Sequence, residues 1–113
     1  MEQYQQIVNG ENVHAFRANF YDANTLQVQA GTTGERGGDT GHGGRTFFSL
    51  KDLGGTDISI TTGEDGTSLE VSLGGDAELR TITSALQFIL DALATNPDNL
   101  EAVEALQMKY PSE

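Results

Sequence analysis

Cysteine is absent from the 113 residues, and several chemistries go with it. No disulfide framework, thiolate-ligated metal site or catalytic thiol is available, and redox chemistry finds no support. Long apolar runs are missing as well. Nothing approaches the roughly 18 consecutive apolar residues of a membrane span, and the opening MEQYQQIVNG has no basic segment leading into an apolar one. These absences predict a cytoplasmic protein with no membrane partner. Basic side chains are scarce, six against seventeen acids, and a net charge of −11 opposes attraction to DNA, RNA or anionic lipid. A nucleic-acid polymer is therefore not the expected partner. Mimicry of one is disfavoured too, because the acids are dispersed and form no long run.

A chain of this length predicts one domain around a single core, residues 1–113. Residues 1–12 are polar with little periodicity and read as a short strand or loose arm. From Val13 the chain alternates, with Phe16, Ala18 and Phe20 on one face, and after the turn-like DANT it alternates again through Leu26, Val28 and Ala30. That predicts a β-hairpin. In RTFFSL, Thr46, Phe48 and Leu50 share one face of a third strand, which leaves one of Phe47 and Phe48 exposed or both buried in a two-sided core. Ile58 and Ile60 mark a fourth strand, GEDG a reversal, and Leu69, Val71 and Leu73 a fifth. The period then changes to about 3.6: Leu79, Ile82, Leu86, Ile89, Leu90 and Leu93 recur at three- and four-residue steps. This predicts an amphipathic helix over about 76–95, capped by Gly75 or Asp76. Asn96–Pro97 predicts a second helix over about 97–110 that turns Leu100, Val103, Leu106 and Tyr110 inward and stops at Pro111. The expected fold class is α+β, an antiparallel sheet of about five strands over residues 13–74 followed by two helices, one packed on the sheet.

The unusual segment is the loop before the third strand. Seven of the fourteen residues from Gly31 to Gly44 are glycine, and three of the six bases, Arg36, Arg45 and Lys51, lie in or beside it. Glycine costs entropy wherever it is fixed, so the segment is either a mobile connection or a place where backbone must approach a ligand. It matches neither common phosphate signature, since no Gly-Lys-Ser/Thr precedes a helix and the loop runs into a strand. Successive glycine N–H groups can still form an anion-binding concavity, completed by Arg36, Arg45 and the hydroxyls of Thr40 and Thr46.

His42 stands in this loop with Asp39 as its nearest carboxylate. It is either a general acid or base, a hydrogen-bond donor to a ligand, or an exposed loop histidine. Zinc is not expected, because His14 is the only other histidine and thiolates are lacking. Asp57, Asp65 and Asp76 do not follow calcium-loop spacing and read as turn and cap residues. Arg80 lies beside the apolar stripe of the first helix, free to reach solvent, the sheet edge or a ligand. No serine sits in a nucleophile elbow and no carboxylate pair stands out.

The blocks GGDTGHGGRTFFSLKDLGGTDISI and LGGDAELRTITSALQFILDAL resemble small proteins carried by bacteriophages and prophages. They are similar to the first-described family of Thoeris anti-defence proteins over roughly Gly31 to Leu93. That family consists of sponges for the cyclic ADP-ribose signal made by a host TIR-domain enzyme, some of which also hold cyclic di- and trinucleotides at a separate site. The resemblance implies that His42, Thr46 and Gly54 contribute to a cyclic-oligonucleotide pocket. It offers Arg80 as the pocket arginine, and Phe88 as counterpart of an aromatic at the cyclic ADP-ribose site. It also implies a homo-oligomer, dimer or hexamer, with sites between subunits.

Residues and resemblance together give the expectation of a non-enzymatic binding protein without cofactor, whose partner is a cyclic nucleotide signal. Its cradle would be Gly41, His42, Gly43, Gly44, Arg45 and Thr46, with Gly54, Arg80 and Phe88 in support. Arg45 would pair with phosphate. Two alternatives stand beside it: a small cyclic-nucleotide hydrolase using His42 with Asp39, and a protein-interaction module with the loop as spacer.

Overall fold

The computed structural model describes residues 1–22, 24–55 and 57–111. Among the described residues six strands precede two helices: β1 (Glu2–Val8), β2 (Glu11–Tyr21), β3 (Thr25–Thr32), β4 (Thr46–Gly54), β5 (Ile58–Thr62), β6 (Leu69–Leu73), α1 (Asp76–Leu93) and α2 (Leu100–Lys109). Strands β1 to β4 form one antiparallel sheet in chain order, and β5 and β6 pair in a separate two-stranded sheet. The α+β class holds, with α1 laid on one face of the four-stranded sheet. The strands do not, however, share a single sheet.

Residues 2–8 are a full strand rather than an arm. Asn9 and Gly10 both take left-handed conformations, with φ of 47° and 84°, and Val8 pairs with Glu11 across them. A two-residue Asn-Gly connection of this kind twists in the sense that antiparallel strands require. Further along, Ala23 of the DANT turn lies outside the described residues.

Register places Phe16, Ala18, Leu26, Val28 and Ala30 on the face that α1 covers. Burial of Phe16, Leu26 and Val28 contributes roughly 1.5–3 kcal/mol each. The opposite face is largely polar, with Val13 and Ala15 buried on it. On it Arg17 donates to Glu2 and Gln29, Gln29 donates to Ser49, and the guanidinium lies 4.4 Å from the centre of the Tyr4 ring.

Helix α1 is rotated from the orientation its leucines suggest. Its packed side is Thr81, Ala85, Phe88, Ile89 and Ala92, while Leu79, Leu86 and Leu90 are 63, 50 and 64% exposed. Small side chains at 81, 85 and 92 let the helix lie close to the sheet, and Phe88 fills the remaining depth against Phe20 and Tyr110. Gly75 is the N-cap, and Glu78, buried in the first turn, folds its carboxylate back over Gly75 at the positive end of the helix.

Helix α2 begins later than Asn96–Pro97 predicts. Its N-cap is Asn99, whose side chain accepts from the Ala102 N–H at 3.2 Å. Asn96 accepts from the Asp98 N–H instead, which closes a local turn and holds the chain out of helix for three more residues. Val103 and Leu106 are buried as expected, but Leu100 is exposed. Asp91 of α1 ties the two helices together by accepting from Tyr110 at 2.6 Å and pairing with Lys109 at 2.8 Å. Among the described residues, no helix is long and apolar enough to cross a membrane.

Candidate functional site

Residues 33–45 leave the sheet at the end of β3 and return at the start of β4. The base of the loop is closed by the Thr33 N–H donating to the Arg45 carbonyl at 2.9 Å, by the Arg45 N–H donating to Thr33 Oγ1 at 2.9 Å, and by a 2.7 Å bond between the hydroxyls of Thr32 and Thr46. Above it the two arms are packed backbone to backbone. A methyl group added at Gly43 would stand 2.5 Å from the Gly38 carbonyl oxygen, and one at Gly44 would run into the Gly34 carbonyl. Gly43 also has φ of 86°, as Gly41 has 90°. Glycine is needed here for self-packing of the loop and for left-handed turns, which answers its density in the sequence.

Arg45 does not wait for a phosphate in this structure. Its Nη1 donates to the Gly43 carbonyl at 3.0 Å and its Nη2 to the Gly41 carbonyl at 3.3 Å, while its Nε is buried with no hydrogen-bond partner. The guanidinium braces the loop from within. Arg36 is drawn outward to Glu11 at 2.9 Å. Both loop cations are therefore engaged inside the chain.

A polar cleft of about 720 Å³ lies between this braced loop and the C-terminal end of α1. Thr32 and Thr46 form its floor, Gly41, His42 and Gly44 one wall, and Leu93 of α1 part of the other. The His42 N–H donates to the Asp39 carbonyl at 3.2 Å, so what joins these residues is main chain and not carboxylate to imidazole. Among the described residues, the backbone N–H groups of Gly41, Gly43 and Gly44 and the ring of His42 meet no protein hydrogen-bond partner. The site thus presents the backbone donors of Gly41 and Gly44, the His42 ring and the Thr32–Thr46 hydroxyls. Its own charges, Glu35, Asp39 and Arg36, are mixed.

Of the residues singled out in the sequence, Gly41 to Thr46 come together here, with Gly43 and Arg45 as frame rather than lining. Gly54 and Arg80 do not join them. Gly54 is paired with Thr25 at the far end of β4, and Arg80 reaches Asp22 at 2.9 Å at that same end. The nine-residue strand β4, about 25 Å long, intervenes. Phe88 is fully buried between the helices and the sheet and offers no surface to a ligand. Sequence reasoning missed Thr32 and Leu93 as cleft residues. Thr32 was legible as the hairpin partner of Thr46, whereas the approach of Leu93 depends on the rotation of α1.

Among the described residues, no group of three or more His, Cys, Asp or Glu side chains is placed to hold a metal ion. A second cavity of about 550 Å³ lies where β1 stops short of the end of β2, beside Tyr110 and Lys109. No family model, curated protein or solved structure matches the chain.

Proposed function

We propose that this chain is a phage anti-defence protein that captures a small cyclic nucleotide immune signal in the host cytoplasm and holds it without changing it. The observation that carries the reading is the cleft itself. Its volume suits a ligand of a few hundred daltons, and its walls offer unpaired backbone N–H groups, the Thr32–Thr46 hydroxyl pair and the His42 ring on a frame stiffened by glycine packing and Arg45. Backbone donors of this kind hold phosphate oxygens without a full cationic charge. That fits a small anion better than a polyanion, since a −11 body repels the latter over many contacts and the former only weakly beyond a Debye length. The ligand class, cyclic ADP-ribose isomers and cyclic di- or trinucleotides, comes from the likeness of the loop block to the sponge family.

The test is calorimetric titration with a panel of those compounds. The reading expects one class to bind, and His42→Ala to weaken it at least tenfold, about 1.4 kcal/mol. Absence of binding across the panel would contradict it.

A further inference from the structure

Among the described residues that line the cleft, Arg36 is the one arginine or lysine, and its guanidinium is drawn out to Glu11, which is not a lining residue. Glu11 opens β2 directly after the Asn9–Gly10 turn, so its carboxylate meets the loop from the end of a regular hairpin. Nη1 of Arg36 donates to it at 2.9 Å. Two further carboxylates, Glu35 and Asp39, belong to the lining itself. With Arg36 held outside, a phosphate that enters the cleft meets these two like charges beside the backbone and hydroxyl donors. With Arg36 turned inward, a guanidinium fork suited to phosphate oxygens joins those donors.

The two loop arginines differ in what it takes to move them. Arg45 donates to the Gly41 and Gly43 carbonyls from within the loop and has its Nε buried, so withdrawing it dismantles the frame. The Arg36–Glu11 pair is exposed on both sides, with 50 and 40% of the two side chains accessible. Pairs so exposed favour the closed arrangement by a factor of about five or less. Arg36 is therefore the cation that a ligand can recruit without loss of the loop's packing.

We propose that Glu11 is a latch on the cleft: it keeps Arg36 outside and yields it to a phosphate group of an incoming anion, so that Glu11 sets affinity by competing for the guanidinium. The proposal rests on the anion-binding reading of the cleft and adds its regulation. A phosphate already held by the N–H groups of Gly41 and Gly44 offers Arg36 a charged acceptor inside a wall of donors, whereas Glu11 offers a solvated carboxylate. Glu11 acts only through Arg36, and that dependence makes the latch testable.

The test is calorimetric titration of four full-length proteins: wild type, Glu11→Gln, Arg36→Ala and the double variant. The probes are cyclic ADP-ribose isomers, cyclic di- and trinucleotides, and inorganic pyrophosphate as a bare phosphate compound. Glu11→Gln should tighten binding up to about fivefold, and Arg36→Ala should weaken it about tenfold or more. In the Arg36→Ala background Glu11→Gln should change nothing, because no guanidinium is left to release. Both side chains are partly exposed, so the four melting temperatures without ligand should agree, which separates the latch from a folding defect. A Glu11→Gln variant that binds as the wild type does, or that tightens binding equally with and without Arg36, would overturn the latch and leave the capture reading standing. The expected pattern with pyrophosphate but with no cyclic nucleotide would uphold the latch and contradict the capture reading. Binding of neither would overturn both.

Discussion

At one end of the β3–β4 pair the chain departs through Thr32 and returns through Thr46, and the glycines between them stack into a frame with a cleft behind it. At the other end Gly54 lies against Thr25, and Arg80 reaches across to Asp22 at the close of β2. The first end is built from loop backbone packed on itself; the second is held by side chains, the buried Thr81 hydroxyl donating to Asn24 at 3.1 Å and the exposed Arg80–Asp22 pair. Among the described residues, backbone N–H groups without a protein partner collect at the first end, at Gly41, Gly43 and Gly44. At the second end the arginine is already partnered and is solvated besides.

The comparison breaks most readily at Gly43. Alanine there meets both a left-handed backbone, costing about 1–2 kcal/mol, and the Gly38 carbonyl, so Gly43→Ala should destabilise the chain by roughly 2 kcal/mol or more and abolish ligand capture. Gly41→Ala, with equally positive φ but open space around it, should cost only the backbone part. Chemical denaturation of the pair measures the difference. Equal losses would mean that the Gly38–Gly43 packing contributes nothing.

Arg45→Ala comes next. Removing the guanidinium hands the carbonyls of Gly41 and Gly43 to water and should cost about 0.5–1.5 kcal/mol, with faster amide hydrogen exchange confined to residues 33–45. Uniform exchange across the sheet would show that Arg45 does not brace the loop.

A smaller effect belongs to the α1–α2 clamp, remote from both ends. Burial pushes the Asp91 carboxyl up, but hydrogen bonds from Lys109, Tyr110 and Gln87 outweigh it and hold the carboxyl below its ordinary value. Because the folded value is the lower one, the clamp's contribution is complete above the unfolded value of about 3.9 and is lost as pH falls through the folded value below it. Asp91→Asn should therefore lower the melting temperature at pH 7, and the gap to wild type should close in strong acid. A gap that persists unchanged at low pH would contradict the assignment.

Arg80→Ala should have the least effect, leaving the melting temperature and ligand affinity within about twofold-equivalent error, because its partner Asp22 is a surface carboxylate and exposed pairs contribute little. A large loss of affinity would place Arg80 at the ligand after all.

How far the sequence revealed this arrangement follows from range. Alternation in β2, β3 and β4 reports which face is buried, and register preserves it, so Phe16, Leu26 and Val28 were legible as core. The glycine block was legible as a segment under backbone constraint, because glycine at such density needs a backbone reason, and self-packing of the loop supplies one. The rotation of α1 was not legible. Leucines at 79, 86 and 90 give the helix its period, yet the sheet selects the small side of the helix, and hydropathy alone does not distinguish a stripe facing the core from one beside it. The separation of Gly54 and Arg80 from the loop was hidden for a different reason: a motif records spacing along the chain, and a strand places its two ends about 25 Å apart. The first hairpin was legible in Asn9–Gly10 and was obscured by the polar residues around it.

The central claim is capture without chemistry, and one measurement addresses it directly. The protein is incubated with each member of a panel of cyclic ADP-ribose isomers and cyclic di- and trinucleotides, any complex is separated from free ligand and heat-denatured, and the released small molecule is identified by mass. The account predicts the starting compound, recovered intact in proportion to protein; a ligand at 100 times its dissociation constant should first have raised stability by roughly 2.7 kcal/mol. Recovery of a linear or hydrolysed product would contradict it, and would make His42 the first residue to examine for acid–base chemistry.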